Sequence, residues 1–289
     1  MNTYHIRNIG NFVLFRDKAD RIFFNNKFAA ICYNYGIEVL ALCILSTHFH
    51  AVVCGENENI IKELEHILKV AYGMHYRHKY SHTVGNKFKT RHTLISGREI
   101  ITDKLIYVMA NPVHHYITES PFTYQFSSAN YIFTQDYLPI NFRRALTAHL
   151  TPFGNLPLSR QRQLVSKDRV PSGWLVDPDG FISPNSFINV PKSRAYFNGS
   201  YKRFKFLIET SVRDKNQETI DENKQAVLCD GMDDDAVCRL IDTYTTSFSK
   251  KSFHHFSEKE VQIVLVGMKK RGIPYEQCRR CLWLEESRN

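Results

Sequence analysis

The stretch Ile37-Glu38-Val39-Leu40-Ala41-Leu42-Cys43-Ile44-Leu45-Ser46-Thr47-His48-Phe49-His50-Ala51-Val52-Val53-Cys54 decides the fold. It reads as two apolar strands, Ile37 to Leu45 and His48 to Cys54, joined by a short Ser46-Thr47 connection. Upstream, Lys18 to Tyr35 carries Ile22, Phe23, Phe28, Ala29, Ile31 and Cys32 at mostly helical spacing and meets a natural stop at Gly36. Tyr4 to Phe15 alternates enough for a strand. Downstream, Ile60, Ile61, Leu64, Ile67, Leu68 and Ala71 make Asn57 to Tyr80 an amphipathic helix, followed by a basic strand from Phe88 to Ser96 and a helix from Arg98 to Asn111. The order β-α-β-β-α-β-α predicts an α+β, ferredoxin-like fold: a four-stranded antiparallel sheet with helices on one face, and one extra helix.

His48 and His50 carry the chemistry of this stretch. Side chains alternate along a strand, so the two imidazoles share one face while Phe49, Ala51 and Val53 share the other. A His-x-His pair is more often solvated or hydrogen-bonded than metal-binding, but here it lies in an apolar run, where two polar rings need a reason. On the helix from Arg98, Ile101, Leu105 and Val108 form an apolar stripe, and Asp103, Tyr107 and Asn111 line up roughly opposite. Pro112 disfavours helical geometry at the residue before it, so the helix is expected to end near Asn111. Two imidazoles and an amide oxygen can hold a divalent metal, and a tyrosine one turn away can attack what that metal polarises.

Charge points to a polyanion. The 289 residues include 38 Lys and Arg against 29 Asp and Glu, a net charge of +9. The bases come in blocks, at Tyr72 to Lys104, Arg143 to Pro171, Lys192 to Lys205 and Lys250 to Arg280, while Asp214 to Asp235 is acidic. Separated basic patches suit nucleic acid touched at more than one place. Cys32, Cys43 and Cys54 fall inside apolar runs, which favours a reducing cytoplasm over a disulfide scaffold. Cys278 and Cys281, with His254 and His255 upstream, are a weak zinc signal without a second Cys pair. The apolar runs fall short of a membrane span, and the first residues lack the apolar stretch of a secretion signal.

Residues 137–200 turn rich in Pro, Gly and Ser and read as a loop-rich basic connector after a domain over 1–136. Residues 201–289 read as a helical region. In it, Ser257 to Glu260 forms a capping-box pattern, and Gly272 breaks two helices into a helix-turn-helix outline over 257–284.

At these residues the chain resembles a known family. His48-Phe49-His50 is similar to the signature of the HUH single-tyrosine endonucleases, and Tyr107-Val108-Met109-Ala110-Asn111-Pro112-Val113 to the Tyr-x-x-x-Asn-Pro segment of the REP-associated tyrosine transposases. Phe15 to Arg21, Gly85 to Arg91 and Tyr124 to Ala129 are similar to further segments of that family, in the same order. Leu45-Ser46-Thr47 and His114-His115 depart from its usual residues, and the N-terminal glycine-led guide motif is not evident.

The resemblance implies that Tyr107 is the nucleophile and that His48, His50 and Asn111 hold Mg2+ or Mn2+. It implies a metal-dependent single-stranded DNA endonuclease and strand transferase, cutting at or near hairpins through a 5′-phosphotyrosine link. The implied partner is hairpin-bearing single-stranded DNA, of which repetitive extragenic palindromes are one kind. The implied setting is the bacterial cytoplasm, at the nucleoid, as a monomer or homodimer with no membrane. Arg77, Lys79, Lys87, Lys89 and Arg91 are then expected along the DNA backbone, Arg279 and Arg280 on duplex, and Tyr72, Tyr76, Tyr80 and Phe88 under bases. His75, His78, His114 and His115 are expected as solvated residues. The alternative is a non-catalytic nucleic-acid-binding protein that retains the fold. A metal-free phosphodiesterase using His48 and His50 as acid and base is a further rival.

Overall fold

The structure is a computed structural model that describes residues 1–115, 117–133, 149–222 and 232–285, the side chains of Ile9 and 213–222 excepted. Strand β1 (Asn2–Ile9) leads into helix α1 (Lys18–Asn34), β2 (Glu38–Ile44) and β3 (Phe49–Gly55). Helix α2 (Glu58–Tyr80), β4 (Lys89–Ile95) and α3 (Arg98–His114) follow. The strands form one antiparallel sheet in the order β2-β3-β1-β4, so β3 lies between the two strands of the first βαβ unit. This is the α+β arrangement expected from the order of elements.

Local chemistry sets the boundaries. The Asp17 carboxylate caps α1 by accepting from the Asp20 N–H at 2.9 Å. At its other end Gly36 takes a left-handed φ of 64°, which lets the Ile37 N–H reach the Cys32 carbonyl at 2.8 Å. Ser46-Thr47 is a two-residue hairpin loop closed by the Leu45 N–H on the His48 carbonyl, 2.8 Å.

Two boundaries differ from expectation. β1 ends at Ile9 rather than Phe15, because the N–H groups of Val13, Leu14 and Phe15 bond the carbonyls of Arg280 and Ser46 instead of a neighbouring strand. Helix α3 runs past Pro112 to His114. So near the end, the proline forfeits one backbone bond, and the turn still closes through His115 N–H on the Asn111 carbonyl at 3.1 Å.

Each face of the sheet has its own core. Ile6, Phe49, Ala51 and Val53 pack with Phe24, Phe28, Leu64 and Tyr72 under α1 and α2. On the opposite face, Leu40, Cys43 and Val52 meet Leu105, Val108 and Met109 of the extra helix α3. Helix α4 (Ala129–Ile132) follows, and the two-stranded β5 (Thr151–Pro152) and β6 (Leu175–Val176) with α5 (Leu158–Val165) and α6 (Val190–Ala195) wrap the β2 side. There Ile188 bridges Val39 and the Asn189 N–H donates to the Val39 carbonyl at 2.8 Å, covering a sheet edge that would otherwise be open. Residues 137–148 of the expected connector lie outside the described residues.

Helix α7 (Tyr201–Glu222) covers the outer side of α3 with Phe204 and Ile208. Helices α8 (Asp234–Ser247), α9 (Glu258–Lys269) and α10 (Tyr275–Leu282) form the last unit. The Ser257–Glu260 capping box is present. The helix-turn-helix outline is also present, but its second helix docks on the 10–17 loop. The buried Arg16 guanidinium donates to the Cys281 carbonyl at 2.7 Å and to Asp242 at 3.1 Å, and the Trp283 indole N–H donates to the Val13 carbonyl at 2.8 Å. No described helix is long and apolar enough to cross a membrane.

Candidate active site

His48 and His50 project from the end of β3 onto the face covered by α3, while Phe49, Ala51 and Val53 are buried on the other. Their rings are perpendicular, with centroids 5.0 Å apart. Helix α3 supplies Asn111, whose Oδ1 lies 3.2 Å from Nε2 of His48, and Tyr107, whose ring stands 5.2 Å from that of His50. Successive i+4 positions drift by about 40° around a helix. That drift explains why Asp103 is exposed, Tyr107 half-buried and Asn111 0% exposed. The structure therefore brings together His48, His50, Tyr107 and Asn111.

Three further groups, missed in the sequence, complete the surroundings. His5 on β1 is 6% exposed, and its Nε2 lies 3.0 Å from Nδ1 of His50. Arg7 stands opposite both His50 on β3 and Arg91 on β4. The Lys104 ammonium lies 5.0 Å from the Tyr107 ring centroid. The alternation of Thr3, His5 and Arg7 is visible in the sequence, but which strand they meet, and in what register, is not.

The site is electropositive and its inner imidazoles are neutral. Burial lowers His50 to about 2, helped by His48, His5, His115 and Arg7. Burial, then Lys104 and Arg7, lower His5 to about 4. His114, expected in a solvated loop, is half-buried in the last turn of α3, with Nε2 3.4 Å from Ser211 Oγ. His115 is exposed, but its ring lies 4.7 Å from that of His48.

The donor set fits a divalent cation. Two ligands about 2.1 Å from Mg2+ and at right angles are about 3 Å apart, close to the separation of His48 Nε2 and Asn111 Oδ1. The Nδ2 of Asn111 is buried without a hydrogen-bond partner, so the polar contact of this amide is the one its Oδ1 makes with His48. Thr47 Oγ1 holds the other nitrogen of His48 at 2.8 Å, as outer-shell groups hold metal-binding histidines. Among the described residues no group of three or more His, Cys, Asp or Glu could hold a metal. Cys278 and Cys281 are buried in helix packing, and His254 pairs with Tyr76 Oη at 2.8 Å.

The expected DNA contacts divide. Lys89 and Arg91 are exposed on β4, with Arg91 beside Arg7 on the site's face of the sheet. Arg77 is exposed on α2, across the sheet from Tyr107. Four others make ion pairs with carboxylates of the fold. Lys79 neutralises Asp17 and the buried Asp20 at 2.6 and 2.8 Å, and Lys87 pairs with Glu285. Arg279 is buried beside Glu276 at 2.7 Å, and Arg280 holds Asp234 at 2.7 Å. The buried Asp20 carboxylate needs such a partner. Tyr72, Tyr76, Tyr80 and Phe88 are core residues rather than base-stacking platforms. His75 donates to Asp20 at 2.8 Å rather than facing solvent, whereas His78 is exposed.

Comparison with known proteins returned no match to a family model, to a curated protein or to a solved structure.

Proposed function

We propose that the chain is a metal-dependent, single-tyrosine endonuclease and strand transferase acting on single-stranded DNA at or near hairpins. The observation that carries this reading is the meeting of His48 and His50 from β3 with Tyr107 and Asn111 from α3 at one electropositive place. The resemblance of those same residues to the REP-associated tyrosine transposases supports it.

A divalent cation held by His48, His50 and Asn111 would polarise a non-bridging phosphate oxygen and offset charge developing there. Tyr107 is the nucleophile. Its Oη adds to phosphorus and gives its proton to water as the P–O3′ bond breaks; the departing O3′ takes up a proton and becomes a free hydroxyl. The product is a 5′-phosphotyrosine link, which keeps the phosphodiester's energy. Attack on that link by another 3′-hydroxyl reverses the step and joins a different strand, so transfer accompanies cutting. Arg7 and Arg91, paired across β1 and β4, are placed to hold backbone phosphates beside the site, and Lys104 adds charge at Tyr107.

The experiment that tests this reading looks for a covalent protein–DNA adduct with a hairpin-bearing single-stranded oligonucleotide and Mn2+. Binding without an adduct across varied hairpins favours a non-catalytic nucleic-acid-binding protein. Cleavage that survives both EDTA and Tyr107→Phe favours a two-histidine phosphodiesterase.

A further inference from the structure

We propose that His5 is a positioning residue: it accepts a hydrogen bond from Nδ1–H of His50 and so fixes the tautomer that leaves the Nε2 lone pair of His50 for the site. The use of that lone pair by a cation rests on the function proposed above; the tautomer does not.

The two histidines come from different strands. His5 faces Val52 on β3, so His50 is its diagonal neighbour, within reach of long side chains. The rings are parallel to within 5°, with centroids 5.2 Å apart, and the facing nitrogens are 3.0 Å apart. That contact needs one proton between two nitrogens. Both rings are buried, so water does not compete for it.

A buried imidazole in the middle of a strand is costly unless it is hydrogen-bonded. Among the described residues the His5 side chain hydrogen-bonds His50 alone. An aliphatic residue would satisfy the sheet at lower cost, so the imidazole has a use beyond packing. In a histidine, the bond made at one nitrogen decides what the other can do. If His5 donated instead, the His50 proton would sit on Nε2 and block that lone pair.

The test is a long-range 1H–15N correlation spectrum of the metal-free, full-length protein, which reads the tautomer of each histidine. Wild type is expected to carry the His50 proton on Nδ1. His5→Phe, which keeps a buried ring and removes the acceptor, is expected to shift His50 toward the Nε2–H form. His5→Gln, whose Oε1 accepts, is expected to restore it. Mn2+ affinity should fall about 10- to 100-fold in His5→Phe and recover in His5→Gln. A His50 proton on Nε2 in wild type overturns the proposal, whatever the variants do, and so does an unchanged tautomer in His5→Phe. Wild type that binds no Mn2+ defeats the cation site instead, while the spectrum still decides the role of His5.

Discussion

The ring of Tyr107 stands at 88° to that of His50, with centroids 5.2 Å apart, although one residue lies on α3 and the other on β3. The packing of α3 on β2 and β3 creates this relationship. Leu105, Val108 and Met109 lock the helix onto Leu40, Cys43 and Val52, and Ser127 ties it down by donating to the Met109 carbonyl at 3.3 Å. Both partners therefore sit on rigid elements, as a site that must hold a nucleophile against a phosphate requires.

Asn111→Leu separates a ligand role from a packing role. The swap is close in volume and removes an amide whose Nδ2 has no partner but whose Oδ1 meets His48, so it should cost about 1–2 kcal/mol. Mn2+ affinity, read by equilibrium dialysis, should nonetheless fall by about tenfold or more. Unchanged affinity would remove Asn111 from the ligand set.

Arg7→Gln and Arg91→Gln should each weaken single-stranded DNA binding similarly for all sequences. Each should also reduce the slope of log K against log salt by about 0.7. Lys79→Gln and Arg280→Gln are the contrast, because these side chains serve Asp20 and Asp234. Their salt slopes should match wild type while their melting temperatures drop.

Acid should destabilise the fold through its neutral histidines. Burial lowers His50 to about 2 and His5 to about 4, and burial with His82, Arg16 and His255 lowers His254 to about 2. Below about pH 6.5 the unfolded chain binds protons that the folded one refuses, so stability is full above that pH and falls as pH drops. Between pH 7 and pH 4 the His5 share is on the order of 2–3 kcal/mol. In urea titrations across this range, His5→Gln should show a shallower fall than wild type. An equal slope would mean that His5 titrates normally.

Asp20→Asn should cost about 3–5 kcal/mol by urea denaturation. The Asp20 carboxylate is fully buried and receives bonds from Lys79, His75, Tyr80 and the Arg16 N–H, and burial is outweighed there by His75 and Lys79, which hold its pKa low. A cost below about 1 kcal/mol would show that this network is not holding α1 to α2.

Strand alternation sufficed to read His48 and His50 on one face and Phe49, Ala51 and Val53 on the other, because that pattern is local. Helical spacing placed Tyr107 and Asn111 in the same way. His5 escaped notice because its meaning depends on the register between β1 and β3, which no local pattern encodes. The carboxylate partners of the bases are hidden from the sequence for a similar reason. Lys79 and Arg280 look like free cations until Asp17, Asp20 and Asp234 arrive from other segments. Tyr72, Tyr76 and Tyr80 recur at the spacing of one helix face, and only the packing of Phe15, Phe24 and Phe88 on Tyr72 and of Trp283 on Tyr76 shows that this face is buried.

The most direct test of the central claim is denaturing electrophoresis of the full-length protein after incubation with labelled, hairpin-bearing single-stranded DNA and Mn2+. Wild type should yield a covalent adduct carrying the DNA 5′ to 3′ beyond the cut, together with a free 3′-hydroxyl fragment. Tyr107→Phe should bind the same DNA and yield no adduct. An adduct of equal yield in Tyr107→Phe, or none in wild type across varied hairpins with binding retained, would contradict the account.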